Sequence, residues 1–487
     1  MKNLLLLIFI GSLLCKAQTI SHSQREVNTS VLLGTTGDAV VAPGSTTTGT
    51  DRAAALNTTL SGGNVRLIVD GQYGLSTSLV LYSNTAVSCL PGMGFIMQAG
   101  SNAPVVANAH QNAPSTTSGT GGFLVSNITD QNILVEGCTL NANSVQAVTG
   151  KNMFSVPHTV NPATGIFVVG VHFVGVDHLV FDHNEVYDSG IFAAFFSNVT
   201  YARITNNYIH QPKPLTALKF TDGIHFIGPD SFLWIQNNRV NAGDDSIALN
   251  ADDGNRTDSG DPNYANSQFP GVKWGWITDA HIDNNTLDYS YFGLRLYSAT
   301  ELIDRVSVTN MSGTACGITA SLEGLTNLGS GNFGKINIDG WTLQTDGTCD
   351  SYKEPYNFLV SSNYVDLRIS NVSIANPGVN WPVFTQTRGD GGILSLRNWD
   401  LNTQTSTFSN VIALNGGSIG QLAASGMIWH EKPAGTGSFF SGSVAPAVLT
   451  CSNYAGPNRL LAPGFVPPIK NGDCFPIIHP GTLGSTK

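Results

Sequence analysis

Hydrophobic and polar residues alternate along most of this chain, in short runs that are interrupted by asparagine. Apolar side chains at every second position are typical of β-strands with one buried face. A run of this kind, followed by asparagine and a second short apolar run, recurs at intervals of roughly 23 to 31 residues, with one longer interval. Copies of the pattern begin at Phe181, Ile204, Ile235 and Ile282, and Val308, Gly340 and Ile369 continue it.

A repeat of this length predicts a solenoid with one coil per copy. A single coil cannot bury its apolar face, so we expect the coils to stack about 4.8 Å apart as parallel sheets. Equivalent asparagines would then form a ladder of side-chain amides at one turn. A leucine-rich repeat, the rival solenoid, needs regularly spaced leucine, whereas the regular element here is asparagine. The sequence therefore predicts an all-β protein, a right-handed parallel β-helix.

The two ends of the chain differ from this repeat. Asp51 and the alanines that follow it predict a capped helix, so we assign residues 18–75 to an N-terminal cap with the first strands. Residues 76–450 would form the β-helix and carry the functional site. Residues 451–487 are rich in proline and lack periodicity, which predicts a C-terminal tail.

Residues 1–17 have the order of a secretory signal peptide. Lys2 supplies a positive charge, Leu4 to Leu14 form an apolar run too short to span a bilayer, and Ala17 provides a cleavage position. We therefore expect a secreted protein, either extracellular or periplasmic. The alternative is a lipid anchor at Cys15, which the large residue before it disfavours.

Charge and cysteine content narrow the class of protein further. The formal net charge is -10 and only 11% of residues are charged, which disfavours nucleic-acid binding because that requires a basic surface. No later segment predicts a transmembrane helix, so we expect a monomer without membrane association after signal removal. The cysteines outside the signal are even in number and permit disulfides, with Cys451 and Cys474 as the first candidate pair.

Three aspartates coincide when the coils are aligned by their asparagines. Asp222 occupies the position in its coil that Asp245 occupies in the next coil, and Asp244 lies beside them. Carboxylates this close repel one another, so one keeps its proton, and we expect that one to be Asp244. A protonated carboxyl next to ionised carboxylates is the arrangement that glycoside hydrolysis uses. Aspartates that only brace turns, or a Ca²⁺ site, are the alternatives.

The segments around these aspartates resemble the polygalacturonase family of glycoside hydrolases (family 28) and related pectin-active right-handed β-helix proteins. That family carries Asn-Thr-Asp-Gly on one coil and Gly-Asp-Asp on the next. The matching segments here are Phe-Thr-Asp-Gly at Phe220–Gly223 and Gly-Asp-Asp at Gly243–Asp245. The resemblance implies an inverting mechanism in which Asp244 is the general acid and Asp222 with Asp245 holds the attacking water.

The chain departs from the family pattern on the coils that follow. Phe292 stands where the family has the histidine of Gly-His-Gly. The next family motif, Arg-Ile-Lys, which grips a uronate carboxylate, is incomplete. Arg295 would supply its arginine, with Tyr297 in place of the lysine, if the long interval between Asn238 and Asn285 hid one coil.

Five further residues are candidates for binding the substrate. His225 points outward by alternation and would stack over Ala248, where it either tunes the aspartates or remains a solvated surface residue. Lys219 and Arg295 are cations suited to an acidic sugar. Trp274 lies in the loop that follows the paired aspartates, and Tyr291 lies on the next coil. Aromatic faces suit sugar rings, although ordinary packing also explains the loop tryptophan.

The sequence thus favours a secreted glycoside hydrolase that cleaves a plant or microbial polysaccharide, of pectin type or another acidic glycan. No cofactor and no resident metal are expected for that activity. One alternative is a polysaccharide lyase on the same fold, with Arg295 or Lys219 as the base and Ca²⁺ at the aspartates. The other is a non-catalytic glycan-binding β-helix, since a fold alone does not determine function.

Overall fold

The structure is a computed structural model. It describes residues 24–101, 103–111, 128–144, 170–190, 192–210, 221–251, 275–324, 330–346, 348, 356–375, 382–403, 410–431, 438–456, 461–462, 465, 467 and 469–472. The predicted signal peptide and two of the predicted substrate-binding residues, Lys219 and Trp274, lie outside these residues.

Two short helices precede a long succession of strands. The helices are α1 (Thr29–Leu33) and α2 (Ala53–Leu60). The strands are β1 (Arg25–Asn28), β2 (Val65–Val69), β3 (Gln72–Leu75), β4 (Leu79–Leu81), β5 (Ala86–Cys89), β6 (Gly94–Met97), β7 (Val106–Asn108), β8 (Asp130–Glu136), β9 (Thr139–Asn141), β10 (Val171–Asp182), β11 (Glu185–Tyr187), β12 (Phe192–Thr205), β13 (Tyr208–His210), β14 (Asp222–Ile227), β15 (Asp230–Gln236), β16 (Arg239–Asn241), β17 (Asp245–Asn250), β18 (Ile277–Asp283), β19 (Thr286–Tyr289), β20 (Phe292–Tyr297), β21 (Ile303–Ala315), β22 (Ile318–Glu323), β23 (Phe333–Trp341), β24 (Gln344–Thr345), β25 (Phe358–Ser361), β26 (Tyr364–Ala375), β27 (Phe384–Arg388), β28 (Asp390–Thr403), β29 (Asn410–Leu414), β30 (Ser418–Glu431), β31 (Ser438–Gly442), β32 (Val448–Ser452) and β33 (Ile469–Gly472).

The strands stack coil upon coil in parallel register and form three faces. The long sheet runs from β1 and β2 through β15, β18 and β23 to β33. The short sheet contains β3, β6, β9, β11, β13, β16, β19 and the end of β21. The third face, here called the site sheet, includes β14, β17, β20, β22, β25 and β27. The predicted parallel β-helix is confirmed.

The core is the interior of the coils. Ile224, Ile247 and Leu294 pair in register on the site sheet and are completely buried, as the alternating pattern predicts. At the N-terminal end, Asp51 accepts a hydrogen bond from the N–H of Ala53 (3.0 Å) and so caps α2.

An amide ladder closes the turn between the long and short sheets. Its members are Asn184, Asn207, Asn238 and Asn285, which are all buried. The backbone N–H of each of the first three asparagines donates to the side-chain oxygen of the next asparagine, at 2.9, 3.0 and 2.9 Å. Each side-chain amide also donates to a strand carbonyl, such as that of Ile204 for Asn238 (2.8 Å). The predicted ladder is therefore present.

The ladder corrects one prediction about the number of coils. Asn238 and Asn285 bond to each other directly, so they lie on neighbouring coils, and no hidden coil separates them. The long interval between them instead contains residues 252–274, which lie outside the described part of the chain. Arg295 therefore lies one coil beyond Asp245, and the displaced-motif interpretation of Arg295 is wrong.

Covalent links and chain ends add two findings. Cys89 and Cys138 form a disulfide that joins early coils (Cα–Cα 4.9 Å), a pair that the sequence analysis did not single out. Cys451 is also disulfide-bonded, but its predicted partner Cys474 lies outside the described residues.

β33 falls inside the predicted C-terminal tail yet pairs in parallel with β32, so the stack continues beyond residue 450. Within the described residues, no helix has the length and hydropathy needed to span a membrane.

Candidate active site

The three predicted aspartates meet where the chain turns from the short sheet into the site sheet. Asp222 begins β14 and Asp245 begins β17, two strands that lie side by side in register. Asp244 immediately precedes β17. One carboxylate oxygen from each aspartate lies within 4.8 Å of the other two, so the sequence alignment of coils correctly brought these residues together.

Backbone hydrogen bonds fix the turn that carries the aspartates. The N–H groups of Gly243 and Asp244 donate to the carbonyl of Thr221, at 2.8 and 3.1 Å. On the next coil, the N–H groups of Tyr291 and Phe292 donate to the carbonyl of Asp244, at 3.0 and 3.1 Å. Backbone bonds from both neighbouring coils therefore hold the main chain at Asp244.

Burial divides the three carboxyl groups. Asp222 and Asp245 are 5% and 1% exposed, whereas Asp244 is half-buried. Burial raises the pKa of Asp245 well above its ordinary value, the nearby Asp222 and Asp244 charges raise that pKa further, and Arg295 opposes the shift. Sequence reasoning expected the raised pKa at Asp244; the structure places a raised pKa at Asp245, because that side chain is the more deeply buried of the two.

His225 contacts Asp222 rather than solvent. Its Nδ1 lies 2.6 Å from Asp222 Oδ2, the residue is 1% exposed, and its Nε2 has no hydrogen-bond partner among the described residues. The centroid of the imidazole ring lies 4.3 Å from that of Phe192 and 5.8 Å from that of Phe195. A proton on Nδ1 can be donated to Asp222 and avoids burying an unpaired N–H at Nε2. The predicted stacking over Ala248 is confirmed, and the interpretation of His225 as a solvated surface residue is wrong.

Arg295 joins the aspartates to an acidic residue that the sequence analysis missed. Its guanidinium lies 3.4 Å from Asp245 Oδ2 and 3.3 Å from Glu323 Oε2. The rings of Phe292 and Tyr297 lie 4.8 and 4.9 Å from its central carbon, within cation–π range. Glu323 belongs to no recognisable motif. The signal that could have found it is register, because Tyr297 and Glu323 are paired on adjacent strands of the site sheet.

Aromatic and apolar side chains line the coils beyond the aspartates. Tyr291 and Phe292 pack edge to face, with ring centroids 4.5 Å apart, in a cluster that also contains Ile318 and Tyr356. Tyr291 is 7% exposed, so little of its ring is available to a ligand. Its evident contribution is structural, through the backbone bond to Asp244 described above. Substrate binding by Tyr291 stays a prediction.

The same three aspartates offer the donor set that a hard cation prefers. Ca²⁺ binds six to eight oxygen ligands, and Asp222, Asp244 and Asp245 would supply three of them. The site thus accommodates a cation in principle, but we route no catalytic step through one.

Comparison with known proteins gives similarity of fold and no closer relationship. No protein-family model and no curated protein matches this chain. The family 28 exopolygalacturonase of Yersinia enterocolitica aligns over 92% of this chain and 78% of its own, at 13% identity and a TM-score of 0.49. A hyperthermoactive exopolygalacturonase from Thermotoga maritima aligns over 84% and 92%, at 13% identity and a TM-score of 0.43. The mannuronan C-5 epimerase A-module of Azotobacter vinelandii aligns over 91% and 99%, at 11% identity and a TM-score of 0.44.

A fold does not by itself select one reaction, so the function of this chain depends on the chemistry of its own site.

Proposed function

We propose that this protein is a secreted glycoside hydrolase that cleaves a polysaccharide at the Asp222–Asp244–Asp245 cluster. The observation that carries the proposal is the convergence of three carboxyl groups within 4.8 Å, together with the raised pKa of Asp245. Such a cluster holds a proton and a negative charge side by side, as general acid–base cleavage of a glycosidic bond requires.

Asp222 is the proposed base. The Nδ1–H of His225 and the N–H of Asp245 both donate to its carboxylate, at 2.6 and 3.2 Å, and these two bonds hold the carboxylate in place. Asp222 is nearly buried, so a water molecule reaches it more easily than a sugar ring does. It therefore suits activation of water better than direct attack on the anomeric carbon.

Asp244 is the proposed general acid. It is the most exposed of the three carboxyl groups and the one that a glycosidic oxygen can reach. The raised pKa of Asp245 keeps a proton in the cluster. Because the three carboxyl groups lie within 4.8 Å of one another, Asp244 can take up this proton and transfer it to the leaving oxygen.

The anomeric configuration of the released sugar shows whether the reaction proceeds with inversion or with retention. The resemblance to polygalacturonases implies inversion, and the limited access to Asp222 and Asp245 favours water as the nucleophile. Inverting enzymes usually place their carboxyl groups about 6.5–9.5 Å apart and retaining enzymes about 5–5.5 Å. The carboxylate oxygens here lie within 4.8 Å of one another, so the stereochemistry of the product has to be measured. Proton NMR of freshly released sugar should show the inverted anomer.

A lyase is less compatible with the described residues. A lyase needs a base that can take a proton from carbon, and Arg295 is held between Asp245 and Glu323, where its positive charge is stabilised. Lys219, the other candidate base, lies outside the described residues. A lyase would release unsaturated products that absorb in the ultraviolet, whereas we expect new reducing ends without that absorbance.

The testing experiment is a screen of the purified mature protein against a polysaccharide panel, with detection of reducing ends. Asp244→Asn serves as the inactive control. Asp400→Asn, which removes an exposed carboxylate on the long sheet, serves as the matched active control. Hydrolysis by the wild type and by Asp400→Asn, but not by Asp244→Asn, would support the proposal; equal hydrolysis by all three would contradict it.

A further inference from the structure

The charges around the proposed catalytic groups are strongly unbalanced. Around the start of the site-sheet strands, the described residues include four carboxyl groups, Asp222, Asp244, Asp245 and Glu323, and one guanidinium, Arg295. Protonation of Asp245, which its raised pKa favours, leaves three carboxylates against one cation. This group of described residues therefore keeps an excess of negative charge even in the protonation state proposed for catalysis.

Arg295, the one cation within this set, already interacts with carboxylates of the protein. Arg295 lies between Asp245 and Glu323, at 3.4 and 3.3 Å, and its guanidinium is flanked by the rings of Phe292 and Tyr297. Its side chain is 18% exposed. A uronate carboxylate would have to displace a fixed carboxylate to bind Arg295, and it would meet the remaining negative charges at close range.

Within the part of the chain that the structure describes, the other basic groups near the site sheet do not reverse this balance. Burial lowers the pKa of His172 and of His210 to about 4, so both are uncharged near neutral pH. Arg239 is paired with Asp288 at 2.6 Å. Arg388 ends a strand four coils beyond that of Asp245, roughly 19 Å away at the usual strand spacing, and it donates to backbone carbonyls.

From this balance we infer that the sugar bound next to the catalytic carboxylates is uncharged, and that Glu323 determines this specificity by neutralising Arg295. The inference rests on the proposed function and narrows its substrate to a neutral glycan. It replaces the acidic glycan that the sequence favoured, because the arginine expected to grip a uronate is held by two carboxylates of the protein itself.

The test compares charged and neutral forms of the same polymers. Polygalacturonate and its fully methyl-esterified form, alginate and its neutral ester, and neutral α-glucan, galactan, xylan and mannan are offered to the wild-type protein. Rates are measured from reducing ends, and binding to Asp244→Asn is measured by affinity electrophoresis. We expect a neutral polymer to be the best ligand, and each free polyuronate to bind at least tenfold more weakly than its ester.

Glu323→Gln should then raise binding of the free polyuronate relative to its ester by about tenfold, since it frees Arg295. Asp400→Asn, which removes one negative charge far from the site, should leave that ratio unchanged. Preferred binding or hydrolysis of a free polyuronate by the wild type would overturn the inference, as would a ratio unaffected by Glu323→Gln. Failure of the glycosidase proposal gives a different result, namely no new reducing ends on any polymer, while the binding comparison still decides the charge preference.

Discussion

The two turns on either side of the short sheet have the same coil stacking but opposite energetic consequences. At one turn, Asn207, Asn238 and Asn285 stack as neutral amides, each of which both donates and accepts hydrogen bonds. At the other turn, Asp222 and Asp245 stack in the same way on the first two of these coils. A carboxylate only accepts hydrogen bonds, so neighbouring carboxylates cannot satisfy each other as amides do.

The difference shows how a repetitive fold can localise chemistry. The amide ladder bonds to strand carbonyls and leaves its polar atoms paired, which stabilises the coils. The carboxylate cluster leaves Asp245 Oδ1 without a partner and raises the pKa of that group. A local arrangement that costs stability, within a scaffold that is otherwise internally consistent, is typical of a functional site.

The largest expected effect is the loss of catalysis when the carboxylate turn is neutralised. Asp244→Asn should reduce kcat by about 10²–10⁴-fold, because general acid–base groups contribute on that order. Asp222→Asn and Asp245→Asn should each cost at least about a hundredfold. The measurement is kcat on the best substrate of the panel, with circular dichroism to confirm folding. A folded Asp244→Asn protein with full activity would exclude this site as the catalytic centre.

The second-largest expected effect is a loss of stability when a carboxylate replaces one amide of the asparagine ladder. Asn238→Asp keeps the shape but loses the two donated bonds, to Ile204 O (2.8 Å) and to Asn285 Oδ1 (3.0 Å). Leaving buried acceptors unpaired costs about 1–3 kcal/mol each, so we expect the free energy of unfolding to fall by about 2–5 kcal/mol. Chemical denaturation measures it.

The matched control for this variant lies one residue away. Asn237 has a positive φ of 57°, and its side chain accepts a bond from Asn284 at the exposed edge of the same turn. Asp tolerates this backbone conformation and can still accept that bond, so Asn237→Asp should change stability little. Equal destabilisation by both variants would show that the buried ladder is not the stabilising element.

The two turns were also predictable from the sequence to different degrees. Both the asparagine ladder and the alignment of Asp222 with Asp245 follow from periodicity, because stacked coils bring equivalent positions together. The ion pair of Arg295 with Glu323 does not, since it depends on side-chain reach across coils and on no repeated residue. A hidden coil after Asn238, which the long interval left possible, is excluded by the direct bonds between Asn238 and Asn285. Spacing alone could not exclude it, because a long interval in the sequence does not show how many coils it contains.

The burial and surroundings of the site residues were harder to predict than their positions in the fold. The sequence placed His225 next to Asp222 by register, but alternation marks only which side of a strand a residue faces. It could not show that Phe192 and Phe195 cover the ring and leave it 1% exposed. The deeper burial of Asp245 relative to Asp244 was hidden for the same reason. Lys219 and Trp274 lie outside the described residues, and their roles stay predictions.

A smaller effect is expected from the histidine beside the base. His225→Phe removes the Nδ1–H that donates to Asp222 (2.6 Å). Because the buried ring does not reach the sugar, we expect kcat to fall about tenfold with little change in KM, consistent with the loss of one hydrogen bond to a carboxylate.

A second variant separates this positioning role from simple packing. His225→Gln keeps a side-chain N–H donor and should restore part of kcat, whereas His225→Phe keeps ring volume alone. If both variants lost activity equally and with a higher KM, His225 would act on the substrate or on packing instead.

The smallest effect concerns the stability cost of the carboxylate turn. The folded pKa of Asp245 is raised, so between the ordinary aspartate range and that raised value the folded protein holds a proton that the unfolded chain has lost. Stability therefore falls as pH rises through this window. Asp245→Asn removes the titrating group, so it should raise Tm near pH 7 by about 1–3 °C and have less effect near pH 4. Thermal unfolding of both proteins at the two pH values, with and without added Ca²⁺, measures the difference. A variant that loses Tm at both pH values, in a protein whose wild type gains Tm with Ca²⁺, would instead identify these aspartates as cation ligands.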